Sequence, residues 1–168
     1  MFERDYLMRM LFQFFEALMR SWTQAHKDKD PQRAAENLED AVGEATEIDG
    51  ASLLALEPDS LVSVLEVSGT DPKVIEYVAR SIALAGVYQR QAGNEELADL
   101  RAAQAQALSE AYELDMPEDP EDLSDLIDEL PEEQKDEAII EFEETIKAEQ
   151  TTIERPVDED AEGLYTEK

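Results

Sequence analysis

The chain has 168 residues, no cysteine and one histidine, and 43 acids against 14 bases give it a formal charge of −29. That composition excludes disulfides, thiolate zinc sites, cysteine nucleophiles and histidine-rich metal sites, and one histidine leaves no credible Ser-His-Asp set. The charge is lopsided: residues 1–115 hold 22 acids and 10 bases and residues 116–168 hold 21 acids and 4 bases, so direct nucleic-acid binding through clustered Lys and Arg is not expected.

The densest apolar stretch runs from Met1 to Lys27. Asp5, Arg9, Gln13, Glu16, Arg20 and Gln24 form one polar stripe at helical spacing. The rest of that helix, including Leu11, Phe14, Phe15, Leu18 and Trp22, must be covered, which predicts a central core helix. Glu3, Arg4 and Asp5 make a mixed-charge start, unlike a signal peptide, and Arg9, Glu16 and Arg20 interrupt any membrane span of about 20 apolar residues. A membrane-surface helix is the alternative, and the net charge opposes it. The apolar excess also allows a homodimer through Met1 to Lys27, and with no secretion signal the cytoplasm is the expected location.

Asp30-Pro31 predicts the N-cap and first position of a second helix, with Ala34, Leu38, Val42 and Ile48 inward and Glu36, Glu39, Asp40 and Glu44 in water. Asp49-Gly50 should end it, with Gly50 left-handed. A short apolar segment, residues 51–56, precedes a helix opened by Pro58-Asp59 and carrying Leu61, Val62, Val64, Leu65 and Val67. Asp71-Pro72 repeats the start signal for a helix to about Ala92, and Gly93-Asn94 breaks it. The next helix, about 95–114, places Leu97, Leu100, Ala107, Leu108, Ala111 and Leu114 inward. Pro117 to Pro120 reads as a linker, followed by short helices with Leu123, Leu126 and Ile127 and then Ala138, Ile139, Phe142 and Ile146. The expected domains are a helical body (1–115), an acidic helical appendage (116–150) and an acidic, disordered tail (151–168).

Few residues suggest chemistry. His26 sits at a helix end, where a histidine commonly meets the last carbonyls. Asp5, Tyr6 and Arg9 form a polar cluster, with Asp5 and Arg9 at ion-pair spacing; it reads as a recognition patch or a plain surface pair. Asp158, Asp160 and Glu162 begin a calcium-loop spacing whose twelfth position lies past residue 168, and no metal, cofactor or catalytic residue is assigned. Because bases are scarce, Lys73, Arg80, Arg90 and Arg101 stand out. Arg80 and Arg90 either hold an acidic peptide, the nearest being residues 141–149 of this chain, or pair with neighbouring surface acids.

Gly86, Gly93, Asn94, Ala98 and Ala105 occupy the small-residue and turn positions of a tetratricopeptide hairpin, and Ala34, Leu38 and Ala41 repeat its second-helix spacing. Gln89 and Ala102 replace aromatic residues of that pattern, Trp22 fills a small position, and the hairpins are offset from Ala34 to Ala98 rather than by about 34 residues. The chain thus resembles a degenerate two-hairpin tetratricopeptide-like array, and Asp5-Tyr6-Leu7-Met8-Arg9 is similar to the start of an uncharacterised family of bacterial helical proteins of that type. The resemblance implies an all-α fold of antiparallel hairpins and a peptide groove lined by the first helix of each, and it supplies no activity. The expected function is a non-enzymatic protein-interaction or scaffold module, with Tyr77, Tyr88, Arg80, Arg90, Asp5, Tyr6 and Arg9 as candidate partner-binding residues. The alternatives are an acidic regulator that mimics nucleic acid toward a basic partner, and a helical bundle holding a small molecule in a pocket lined by Tyr77, Tyr88 and Arg80.

Overall fold

A computed structural model describes residues 2–129 and residue 144, with side chains from residue 4 onward. All regular structure among the described residues is helical. The order is α1 (Phe2–His26), α2 (Pro31–Thr46), α3 (Gly50–Leu54), α4 (Pro58–Ser68), α5 (Pro72–Gln91), α6 (Glu95–Tyr112) and α7 (Ser124–Glu129). One compact unit spans Met1–Leu123, past the change in composition at Met116. The second unit, Ser124–Lys168, contains α7. The helix expected around Ala138 to Ile146, the tail and the calcium-like spacing lie outside the described residues, apart from Glu144.

The start signals act locally, as the sequence predicts. Asp30 accepts a hydrogen bond from the Arg33 amide at 3.2 Å, and Asp71 accepts one from the Lys73 amide at 2.8 Å. A proline follows each cap, where its missing N–H costs nothing. The stop of α2 differs from expectation. Glu47, not Gly50, takes the left-handed conformation (φ 58°), and Gly50 begins α3 under an Asp49 cap. Both glycines serve a close approach: a Cβ on Gly50 would lie 3.0 Å from the Glu39 carbonyl, and one on Gly43 would lie 2.9 Å from the Gly50 amide nitrogen and 3.2 Å from the Ile48 carbonyl. These neighbours are backbone and cannot swing away. Gly43→Ala should therefore cost about 1–2 kcal/mol, although alanine gains about 1 kcal/mol of helix propensity. A urea melt checks this, and an unchanged midpoint would contradict it.

Cross-helix contacts fix the directions. Asn37 donates to Gln24 at 2.6 Å between α2 and α1. Gln89 donates to Glu39 at 3.0 Å and Asn94 to Gln32 at 2.9 Å, so α5 climbs as α2 descends. Helix α1 therefore runs in the same sense as α5, and Phe14 meets Tyr77 with ring centroids 6.0 Å apart. Helix α6 folds back on α5, α3 packs on α2, and α4 packs on α6. Phe15, Leu18, Leu38, Val42, Ile75, Val78, Ile82, Leu84 and Leu108 fill the interior. At 25 residues α1 is longer than the 16 of α2.

Several residues sit on faces other than those expected. Val67 is 88% exposed and Leu97 is also exposed, because α4 and α6 each bury one narrow stripe. Glu39, expected in water, keeps only 18% of its side-chain surface exposed. Gln24 is buried as well. Ser21, Gln24, Arg80, Ser81, Gln89, Arg101 and Gln104 are all buried. Most of them bridge helices or bond backbone groups. Ser81 is the exception: its hydroxyl has no partner among the described residues. Removing an unpaired buried hydroxyl relieves a desolvation cost, so Ser81→Ala should be neutral or stabilising by up to about 1 kcal/mol. A lower thermal midpoint would show that the hydroxyl does bond.

Candidate interaction site

Beyond α6 the chain does not leave the helical body. Glu113 turns it with a left-handed backbone (φ 53°). At residues 119–122 it makes a turn, with the Asp122 amide donating to the Asp119 carbonyl at 2.9 Å and the Glu121 amide to Asp119 Oδ1 at 3.0 Å. This strap touches both α1 and α5. The Tyr88 hydroxyl donates to Glu121 Oε2 at 3.0 Å, and His26 Nε2 meets the same oxygen. A carboxylate can only accept, so His26 presents its Nε2–H. Trp22 stacks on the imidazole at a centroid distance of 4.4 Å and holds its plane. Arg80 Nη2 donates to the Asp122 carbonyl at 2.9 Å, and Leu123 is removed from water.

The electrostatics suit this seat. Burial pushes the Tyr88 phenol well above its usual range, and the negative charges of Glu121 and Asp119 push it the same way. Tyr88 thus stays a neutral donor wherever the protein is folded. An acid whose folded pKa lies above its unfolded value of about 10 leaves stability intact below pH 10 and lowers it as pH rises past that point. The protein should therefore unfold more easily at pH 11 than at pH 9, and Tyr88→Phe should flatten that difference in urea melts.

A second polar cluster ties α2, α3, α5 and α6. Arg101 Nε donates to Glu39 Oε2 at 2.9 Å, and its Nη1 donates to the Leu54 carbonyl at 2.8 Å and to Gln104 Oε1 at 3.2 Å. Gln104 donates to the Leu54 and Leu56 carbonyls at 3.0 and 2.8 Å. The Leu54 carbonyl ends α3 and has no continuing helix to bond, and Leu56 lies just past the Ala55 cap. The cluster is closed and satisfied, with Arg101 only 5% exposed, which marks it as structural.

The candidate residues of the sequence reading fall in four places. Arg80 and Tyr88 meet at the strap, where they hold residues 121–122, while residues 141–149, the acidic segment expected against Arg80 and Arg90, lie outside the described residues apart from Glu144. Tyr77 is buried against Phe14. Arg90 is set apart, paired with Glu95 at 2.5 Å and Asp99 at 2.8 Å. Asp5, Tyr6 and Arg9 are exposed near the start of α1, and among the described residues Asp5 and Arg9 form no ion pair. Tyr6 and Arg9 line a surface cavity of about 260 Å³ with Met10, Gln13, Phe14 and Glu44. Tyr6 also borders a wider one of about 770 Å³ with Arg4, Glu47 and Asp71. Neither cavity is lined by Tyr77, Tyr88 or Arg80.

His26, Trp22 and Glu121 were missed as a set. One signal was available: Arg80, Leu84 and Tyr88 are spaced by four, so two polar-tipped side chains share a stripe of an otherwise apolar helix face. The chain matches no family model, no curated protein and no solved structure.

Proposed function

We propose that this protein is a non-enzymatic protein-interaction module whose docking surface is the face shared by α1 and α5. One observation carries the reading: a stretch of irregular polypeptide already lies on that face, held by His26 from α1 and by Arg80 and Tyr88 from α5. The order α1, α2, α5, α6 supports a tetratricopeptide-like array in which the first helix of each hairpin receives a peptide, with α3 and α4 as an insertion between the hairpins. Membership of the bacterial helical family, and a cytoplasmic setting, belong to the same proposal. A homodimer through α1 would have to use its first turns, since Leu11, Phe14, Phe15, Leu18 and Trp22 are buried within the chain while Tyr6 and Met8 are exposed.

Affinity capture with the full chain and with a His26→Ala/Tyr88→Phe variant, each at low and high salt, tests the reading. A partner kept at high salt whose recovery changes in the variant supports it. Absence of any salt-resistant partner removes it. One observation favours the acidic-mimic alternative: Arg80 and Arg101 are buried, so they offset little of the acidic exterior. A partner bound only at low salt would support that reading instead.

A further inference from the structure

We propose that the α1–α5 face recognises a short acidic peptide of the form Glu-x-Leu, and that residues 121–123 are a resident copy of that ligand. The inference rests on the interaction-module reading and adds the chemistry of the partner. Each position of the strap is read by a different means. The first is read by charge and length. Glu121 places one carboxylate oxygen between donors on two helices, the Tyr88 hydroxyl at 3.0 Å and the His26 imidazole. Aspartate is one methylene shorter and cannot span to both. The imidazole is braced by Trp22, and a phenol with its usual pKa of about 10 is already a neutral donor at neutral pH.

The second position is read through the backbone. Arg80 donates to the Asp122 carbonyl at 2.9 Å, a contact any residue can offer. The third position is a buried leucine: Leu123 is 1% exposed. Main-chain contact supplies affinity here, while the flanking carboxylate and leucine supply specificity. The strap has the character of a ligand more than of a core element. It is irregular chain, the backbone hydrogen bonds of its turn are to itself, and its ties to α1 and α5 run through side chains. A tethered copy competes at an effective concentration of about millimolar, so a partner must supply a stronger or repeated motif to displace it.

The test uses the full chain and a synthetic peptide of residues 117–125. Trp22 is the only tryptophan and stacks on His26, so its emission reports what the strap does. In Glu121→Gln/Leu123→Ala the resident copy is weakened. The peptide should then bind at least about tenfold more tightly than it binds the unaltered protein, and should return Trp22 emission toward the unaltered value. A peptide with the same two substitutions should do neither. Equal affinity for both proteins, or equal binding of the altered peptide, overturns the proposal. If the double variant does not fold, Glu121→Gln alone keeps the shape and removes the charge, and the same peptide should still bind it more tightly than the unaltered chain. Should the peptide fail while a salt-resistant partner is still captured, the motif falls and the module reading stands. Failure of both experiments removes both.

Discussion

Replacing Arg101 by alanine should lower the unfolding free energy by about 3 kcal/mol. The arginine joins three elements at once. Its removal leaves the Glu39 carboxylate short of a cation, takes a donor from the Leu54 carbonyl, and strips a partner from Gln104. The remaining 18% exposure of Glu39 lets water screen its charge, which holds the figure at the lower end of the range for a broken buried pair. Arg90→Ala is the matching control. Its guanidinium also touches two acids, but all three side chains are about half exposed or more, so the loss should stay below about 1 kcal/mol. Urea unfolding followed by circular dichroism separates the two variants. A loss below about 1 kcal/mol for Arg101→Ala would mean that water replaces the guanidinium in the cluster.

Gly86→Val should cost about 2–3 kcal/mol by a different route. Gly86 lies where α5 crosses α6. A Cβ placed there would be 3.1 Å from Arg101 Cβ and 3.4 Å from the Ala98 carbonyl. A single methyl needs a shift of a few tenths of an ångström and gains about 1 kcal/mol of helix propensity, so Gly86→Ala should be close to neutral. Valine adds two γ-carbons that must push α6 away, and the neighbours are a backbone carbonyl and a Cβ fixed to it. Thermal melts of the three proteins should therefore place alanine near the parent and valine well below it. If valine matches alanine, the two helices are looser at this crossing than their packing implies.

The parts of this molecule written in local chemistry are readable from the chain. Asp30-Pro31 and Asp71-Pro72 start helices because cap and proline act within one turn. Gly86 opposite Ala98 follows from the small-residue pattern. The parts that depend on distant partners are not readable. Arg101 and Gln104 look like the solvent face of an alanine-rich helix, and what they bond, the Leu54 and Leu56 carbonyls, are backbone atoms that carry no residue signature. Gly50 looks like a helix stop, yet its missing side chain is what lets it lie against the Glu39 carbonyl. His26 was placed correctly at a helix end, but its partner Glu121 lies 95 positions away and is one of 43 acids, so nothing local selects it. Arg80 and Tyr88 were recognisable as unusual on their helix face, while the segment they hold became visible only in three dimensions.

The exposed start of α1 gives one helix two different lifetimes. Residues 4–6, 8 and 9 are exposed, Tyr6 at 54%. From Leu11 onward the same helix is clamped by the core. Opening the first turns therefore costs far less than unfolding the protein, and their amides should exchange with deuterium through local fraying while those near Phe15 and Leu18 wait for global opening. A protease that cuts after arginine would register the same boundary. Arg4 and Arg9 should be cut early, whereas Arg80 and Arg101, shut inside, should survive until the whole body unfolds.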